Sequence, residues 1–223
     1  MLSGHDVPRG FLPVARKATS VVILAPHADD EVLGCFSFLS PSCRVVYLGI
    51  EDRPNVSRNE RISEVNESAA KSGFQWEALN HPVNAYRVPD LIPDLERIIR
   101  ECQPDTVLLP QPSYNQDHRA VYDAAITALR PHDQNWYVRN VLVFEQPDSL
   151  LWPHGGETQP NYFQAISLKE KLHSYSLYAS QVRRHRSPEL VSAIAQLRGA
   201  QAGLPFAEGF TVKRMVVGGK ADG

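Results

Sequence analysis

Short apolar runs alternate with amphipathic stretches along most of the chain. The runs are rich in β-branched residues and almost continuously apolar, which is typical of strands covered on both faces of a sheet. They predict strands at Ser20–Ala25, Arg44–Ile50, Thr106–Pro110, Asn140–Phe144 and, near the end, Phe210–Val217. The amphipathic stretches predict helices at Asp30–Phe38, Asn59–Ser72, Leu91–Cys102, Asp117–Leu129, Ser167–Ser180 and Pro188–Ala200.

This alternation predicts an α/β, Rossmann-like fold, in which a mostly parallel sheet carries helices on both faces. Ligands of such folds bind beyond the carboxyl ends of the strands, so we expect the functional site at that edge. We predict a single domain at residues 20–217, an N-terminal extension at 1–19 and a disordered tail at 218–223.

The first predicted strand ends in a concentration of charge. The segment PHADDE, residues 26–31, places one histidine and three acids where the strand gives way to a helix. A helix N-cap accounts for one or two acids, but adjacent carboxylates repel unless a cation or proton offsets them. His27 and Asp30 can face one metal ion, because neutral imidazole and carboxylate suit zinc or a similar metal. On spacing alone, a capped helix and a metal site remain alternatives.

A second polar segment, NQDHRAV at residues 115–121, follows the strand TVLLP. Asp117 is suited to cap the helix that begins here, and His118 taken alone is an ordinary first-turn residue. If the two preceding strands are neighbours, however, His118 reaches the same sheet edge as His27 and Asp30. The three side chains would then give three protein ligands and one position for water, which is the arrangement of catalytic zinc sites.

Together, the two segments resemble those of the PIG-L/LmbE-like family of zinc-dependent N-deacetylases, which remove acetyl groups from N-acetylglucosaminyl and related amino-sugar compounds. PHADDE is similar to the family's (A/P)HPDDE, and NQDHRAV to its HPDHRAV or HQDHRAV. Weaker similarities extend the resemblance from about Val21 to Val217: RISEVNESAAKSG at 61–73, the Lys171…Ser180-Gln181 spacing, and RGAQAGLPFAEGF at 198–210.

The resemblance implies roles for five residues. His27, Asp30 and His118 would hold one Zn²⁺ per chain, or another divalent transition metal. Asp29 would act as the general base that activates the zinc-bound water for attack on the acetamide carbonyl, and it could return the proton to the leaving amine. Asp117 would orient a neighbouring ligand or catalytic group, or cap its helix.

Two positions depart from the family pattern. Ala28 replaces the usual proline, and Asn115 stands where many relatives have the first histidine of HPDH. An asparagine side chain donates a hydrogen bond but cannot supply a proton near neutral pH. Asn115 is therefore a candidate electrostatic partner in catalysis, and the general acid is left open, with Tyr114 and His154 as conceivable groups.

Substrate contacts are harder to infer. Arg61 could grip a hydroxyl or anionic group of the substrate, or lie on a helix surface. Trp152, with His154 and Gly155–Gly156, is a candidate loop over the site, and an ordinary core anchor is the alternative. Five further histidines have no partner at ligand spacing, and we assign them structural or surface positions: His5, His81, His132, His173 and His185.

Composition narrows the class of partner. The chain has 23 Lys and Arg against 25 Asp and Glu, with a formal net charge of −2. Its one basic cluster, VRRHR at Val182–Arg186, is interpreted as a solvated helix end. Nucleic acid is therefore not indicated as a partner, and a small-molecule amino sugar is favoured. Whether copies of the chain form a homo-oligomer is left open.

Cysteine usage and hydropathy bear on the compartment. The three cysteines form no CxxC pair, which argues against a thiolate zinc site or a disulfide framework. No apolar run approaches the roughly 18 residues of a membrane span, and the first twenty residues lack the apolar core of a signal peptide. A cytoplasmic location is the simplest expectation.

The leading hypothesis is a zinc-dependent N-deacetylase, an amidohydrolase that acts on an N-acetylated amino sugar. A phosphohydrolase that uses Mg²⁺ or Mn²⁺ is an alternative, but it would be expected to have oxygen ligands only. A non-catalytic sugar- or metal-binding protein of the same fold is the third hypothesis. Asn115 favours this third hypothesis, and the intact Asp29 argues against it.

Overall fold

The computed structural model describes residues 19–132, 134–152, 154 and 159–218. These residues form a seven-stranded sheet with the order β3-β2-β1-β4-β5-β7-β6. The strands are β1 Val21–Ala25, β2 Cys43–Tyr47, β3 Gln75–Ala78, β4 Thr106–Pro110, β5 Asn140–Phe144, β6 Tyr162–Ala165 and β7 Ala207–Arg214. All pairings among β1 to β5 are parallel, whereas β7 pairs antiparallel with both β5 and β6. The predicted α/β fold with a mostly parallel sheet is confirmed.

Helices cover both faces of the sheet. They are α1 Asp30–Cys35, α2 Arg58–Ser72, α3 Val88–Cys102, α4 Gln116–Ala128, α5 Pro147–Leu151, α6 Leu168–Ser176 and α7 Pro188–Ala202. Short 3-10 turns lie at Phe36–Phe38, Ala179–Gln181 and Arg184–Arg186. No helix in the described ranges is long and apolar enough to cross a membrane.

Two apolar cores, one on each face, explain why the strands are apolar without interruption. Successive side chains of a strand point to opposite faces. In β1, Val22 and Leu24 join the core formed with α3 and α4, while Ile23 and Ala25 join the core formed with α1, α2, α6 and α7. Each strand in the centre of the sheet therefore needs apolar residues at its buried positions on both faces.

The structure corrects several element bounds. Strands β3 and β6 were not predicted, because each has only four residues, none of them fully buried, at an edge of the sheet. The last strand is Ala207–Arg214 and not Phe210–Val217, and the helix predicted at Ser167–Ser180 ends at Ser176. The predicted extension and tail lie outside the described residues, except for Thr19 and Gly218.

The order of the strands places the two polar segments together. The chain runs from β1 outward to β2 and β3, and then returns to β4 on the other side of β1. Residues 26–29 follow β1 and residues 111–115 follow β4, and these two strands are parallel neighbours. Both segments therefore lie at the carboxyl edge of the sheet, at the point where the strand order reverses, which is where α/β sheets bind ligands.

Candidate metal centre and its cavity

The turn after β1 is held in an unusual backbone conformation. Asp29, at the N-cap of α1, has a φ of 115°, which few residues other than glycine adopt. Two buried contacts hold this turn: Glu31 Oε2 accepts a hydrogen bond from the Asp29 amide at 3.2 Å, and the Arg61 guanidinium donates to the Ala28 carbonyl. Because the Asp29 side chain makes no capping bond, its carboxylate is available for other interactions.

His27, Asp30 and His118 form a group that could hold a metal ion. One ligand atom from each residue lies within 4.8 Å of the other two. Among the described residues, it is the one cluster of three histidine, cysteine or acidic side chains that meets this distance. Asp30 Oδ2 lies 3.6 Å from His27 Nδ1 and 3.5 Å from His118 Nε2. The structure thus brings together side chains that are about ninety residues apart, as the sequence predicted.

The chemistry of this group fits a divalent cation. Two buried atoms, Asp30 Oδ1 and His118 Nδ1, have no hydrogen-bond partner within the described part of the chain. Burying polar atoms without partners is costly, and a cation beside them would offset the cost for the carboxylate. Two imidazoles and one carboxylate are a donor set that suits zinc.

Asp117 contacts one of these histidines from outside the group. Its Oδ2 lies 3.0 Å from His27 Nε2, so His27 Nδ1 is the nitrogen that faces Asp30. Burial lowers the pKa of His27, but the bond to Asp117 and the charges of Asp30 and Asp29 outweigh it and raise the pKa above its ordinary value. The surroundings of His27 therefore favour positive charge, which a bound cation would also supply. For His118, burial lowers the pKa.

Asp29 is completely buried beside the group and paired with an arginine. Its Oδ2 accepts a hydrogen bond from Arg186 Nη1 at 3.0 Å, while Oδ1 has no partner among the described residues. Burial raises the pKa of Asp29 to about 6, although the charge of Arg186 opposes the increase. The carboxylate is thus mostly ionised at neutral pH and still basic enough to take up a proton.

Glu31 supports Asp29 and does not face the ligand group directly. Besides the Asp29 amide, it contacts the Tyr178 hydroxyl, which donates to Glu31 Oε1 at 2.5 Å. Burial raises the pKa of Glu31 to about 7, because the low-polarity surroundings disfavour its charged form. Glu31 therefore links the turn after β1 to the segment that follows α6.

Arg61, a candidate substrate contact in the sequence, is buried behind the turn after β1 and is not a helix-surface residue. Its side chain is 0% exposed, and the guanidinium binds Glu64 at 2.5 Å, Ser180 Oγ at 3.0 Å and the Ala28 carbonyl. All of these partners belong to the protein, and Arg61 does not line the cavity. The Arg61 guanidinium is buried because it binds the backbone of the turn after β1 and is neutralised by Glu64.

Asn115, and not Asp117, caps helix α4. The Asn115 side-chain oxygen accepts a hydrogen bond from the Asp117 amide at 2.9 Å, and the helix begins at Gln116. Asp117 is then free to contact His27, and its carboxylate also accepts hydrogen bonds from the amides of Asn84 and Tyr86. Burial raises the pKa of Asp117, but these hydrogen bonds and His27 outweigh it and lower the pKa overall.

A cavity of about 220 Å³ opens onto the ligand group. Its walls include His27 and His118 and, among other polar side chains, Tyr114, Asn115, Asp148, His185 and Arg186. A second cavity of about 310 Å³, which includes Arg58 and His81, shares Glu51, Arg53 and Asn84 with the first. The combined space is in the range of small-molecule sites.

Several cavity residues were missed or misread in the sequence. The basic cluster Val182–Arg186 is not simply a solvated helix end, because Arg186 reaches Asp29 and His185 lines the cavity. Asp148 was not noted at all. The available signal was position, because Asp148 follows the predicted strand Asn140–Phe144 and the segment Val182–Arg186 follows the Lys171…Ser180-Gln181 spacing. Neither residue set has a recognisable spacing of its own.

The loop predicted to lie over the site, which includes Trp152, is described only in part. Trp152 is 72% exposed, so it is not a core anchor, and its ring lies 6.4 Å from that of Tyr114, which lines the cavity. Gly155 and Gly156, the other part of the proposed loop, lie outside the described residues. His154 is exposed and is not among the described residues that line the cavity.

Comparison with known proteins finds one matching family model and several solved structures with a similar fold. Residues 22–129 match the family model PIG-L, described as GlcNAc-PI de-N-acetylase. A comparison with curated protein sequences finds no significant match. Among solved structures, the N,N'-diacetylchitobiose deacetylase from Pyrococcus horikoshii is 22% identical, with a TM-score of 0.71, and the match covers 88% of this chain and 84% of that one.

Two further solved structures are equally similar in shape. The conserved protein TT1542 from Thermus thermophilus is 21% identical, with a TM-score of 0.70, and the match covers 92% of this chain and 99% of that one. GalB, the 4-carboxy-2-hydroxymuconate hydratase from Pseudomonas putida, is 20% identical, with a TM-score of 0.70 and coverage of 91% and 99%. Since one fold carries both deacetylase and hydratase activity, the site residues must distinguish between functions.

Proposed function

We propose, from the match of residues 22–129 to the PIG-L family model, that this protein is a metal-dependent hydrolase that removes the acetyl group from an N-acetylated amino sugar. The observation that carries the proposal is the group His27, Asp30 and His118 at the sheet edge, with the basic carboxylate of Asp29 buried beside it. Zn²⁺ is the ion that this donor set suits best.

When bound, such a cation would polarise the acetamide carbonyl and make a water molecule more acidic. Asp29 then accepts the proton from the attacking water. A base is most effective when its pKa lies near the working pH, and the value of about 6 meets this condition. The ion pair with Arg186 positions the Asp29 carboxylate beside the ligand group.

The remaining residues of the proposed site hold these groups in place. Asp117 keeps His27 oriented towards Asp30, and Glu31 fixes the backbone amide of Asp29. Asn115 lines the cavity and can donate a hydrogen bond through its amide nitrogen to the developing oxyanion. The cavity is lined mainly by polar groups, which suits a hydroxyl-rich substrate.

The experiment that tests the proposal is acetate release from a panel of N-acetylglucosaminides by the zinc-loaded chain. Asp29→Asn should keep its metal but lose activity by about 10²–10⁴-fold, the contribution expected of a positioned base. His118→Ala should lose the metal itself, as measured by elemental analysis. Asp123→Asn, on the exposed side of α4, is a matched control that should behave like the wild-type protein.

Three outcomes would contradict the proposal in different ways. If the wild-type chain binds zinc and sugar but releases no acetate with any divalent metal, it is a binding protein of this fold. If Asp29→Asn retains activity, the assignment of the base is wrong. If His118→Ala retains the metal, the ligand group is wrong.

A further inference from the structure

Hydrolysis of an N-acetylated amine needs a proton donor that the proposed site has not yet supplied. In the reaction R–NH–CO–CH₃ + H₂O → R–NH₂ + CH₃COOH, an alkyl amine leaves only after its nitrogen gains a proton. Asp29 takes a proton from water but is held in an ion pair with Arg186. Asn115 cannot supply a proton, and its side-chain oxygen already caps helix α4.

His185 lies in the wall of the same cavity as His27 and His118. It belongs to the 3-10 turn Arg184–Arg186, next to the arginine that holds Asp29. The turn is anchored a second time, because the Tyr175 hydroxyl donates to the Arg186 carbonyl at 2.8 Å. One anchored turn therefore carries both the partner of the proposed base and an imidazole, and the 42% exposure of the His185 side chain leaves it accessible to a substrate.

A buried carboxylate faces this imidazole. Asp148, in the first turn of α5, is 7% exposed, and its Oδ1 has no hydrogen-bond partner within the described residues. This oxygen lies 3.9 Å from His185 Nε2. A carboxylate beside an imidazole favours one orientation of the ring, and with Nε2 towards Asp148 the other nitrogen, Nδ1, is left for the substrate. The other charged or titratable groups around this part of the cavity are Tyr114, Arg183 and Arg186, with Arg53 paired to Glu51.

We propose that His185 is the catalytic acid of this site and that Asp148 is its positioning residue; this inference rests on the proposed deacetylase function. After water has attacked the carbonyl, the nitrogen takes the proton from His185 Nδ1 as the C–N bond breaks, and the electron pair of that bond remains on nitrogen. Acetic acid, which keeps the second proton of the attacking water, and the free amine then leave. Asp29 then releases to solvent the proton that it took from water, and His185 regains one from solvent.

The test compares substrates whose leaving groups differ in their need for a proton. The zinc-loaded wild-type chain, His185→Gln and the control His173→Gln, an exposed histidine on α6, are assayed on an N-acetylglucosaminide and on p-nitrophenyl acetate. The amine of the first substrate must be protonated to leave, whereas the nitrophenolate of the second leaves as an anion. His185→Gln should lower kcat on the amide by about 10²–10⁴-fold and change ester hydrolysis less than about threefold, with unchanged zinc content.

Asp148→Asn tests the positioning role through the same two substrates. The asparagine keeps the size of the side chain but removes the carboxylate that faces His185. On the amide, kcat should fall by about 10- to 100-fold with KM nearly unchanged, while ester hydrolysis and zinc content stay at the wild-type level. An unchanged kcat on the amide, or an equal loss on the ester, would show that Asp148 does not act through His185.

The outcomes separate this inference from the proposed function. Equal amide activity in the wild type and His185→Gln, or an equal loss on the amide and the ester, would overturn the assignment of the acid while leaving the deacetylase proposal intact. A wild-type chain that releases no acetate from any N-acetyl sugar would overturn the proposed function, and this inference with it.

Discussion

Asp117 connects the candidate metal group to the rest of the fold, and its substitution tests that group most directly. Its Oδ2 lies 3.0 Å from His27 Nε2 and accepts a hydrogen bond from the Asn84 amide at 2.6 Å. Its Oδ1 accepts from the Tyr86 amide at 3.4 Å, and the residue is 0% exposed. These contacts keep a proton on Nε2 of His27 and direct Nδ1 towards Asp30, 3.6 Å away.

The expected effect follows from what each replacement retains. Removal of a group that orients a metal-binding histidine typically lowers metal affinity by about 10- to 100-fold, or about 1.4–2.8 kcal/mol. Asp117→Asn keeps an oxygen that can still accept from His27 and loses only the charge, so we expect a loss of about tenfold. Asp117→Ala leaves His27 Nε2 and the Asn84 amide without their acceptor, so we expect about 100-fold.

The assay is zinc binding in competition with a chromophoric chelator at constant pH, with thermal unfolding of the metal-free chains measured in parallel. Asp94→Asn is the matched control, because Asp94 Oδ2 lies 2.9 Å from His81 Nε2 in a similar pair outside the ligand group. Its zinc affinity should stay within about twofold of wild type. Wild-type affinity in Asp117→Ala, or an equal loss in Asp94→Asn, would refute the role given to Asp117.

Two further predictions concern stability and thiol reactivity. Arg61→Met should lower the free energy of unfolding in urea by about 3–5 kcal/mol, because it leaves the buried Glu64 carboxylate without its positively charged partner. Arg97→Met, at an exposed ion pair, should cost less than about 1 kcal/mol, and equal losses would contradict the buried role of Arg61. Burial raises the pKa of Cys43 to about 12 and also raises the pKa of Cys35 well above its ordinary value, so iodoacetamide at pH 8 should label neither thiol in the folded chain. Mass spectrometry that finds both labelled without denaturant would contradict this.

The centre of the sheet could be predicted from sequence because its signal is local. The strands Thr106–Pro110 and Asn140–Phe144 were predicted to the residue, since a strand covered on both faces needs apolar side chains at all of its buried positions. The edge strands Gln75–Ala78 and Tyr162–Ala165 escaped prediction because partly exposed positions require no such run. An edge strand depends on the neighbour with which it pairs, and residue order does not reveal that neighbour.

In the candidate site, too, some features could be predicted from the sequence and others could not. The sequence by itself determined which chemical groups stand at the ends of β1 and β4, and the parallel pairing of those strands brings His27 and His118 together. Only the tertiary structure decided that Arg186, 157 residues from Asp29, becomes its partner, and that His185 faces Asp148. These pairs depend on how the segment between α6 and α7 packs over the sheet edge. A distant contact of this kind leaves no periodicity or spacing in the sequence, because it is specified by the combined packing of many residues.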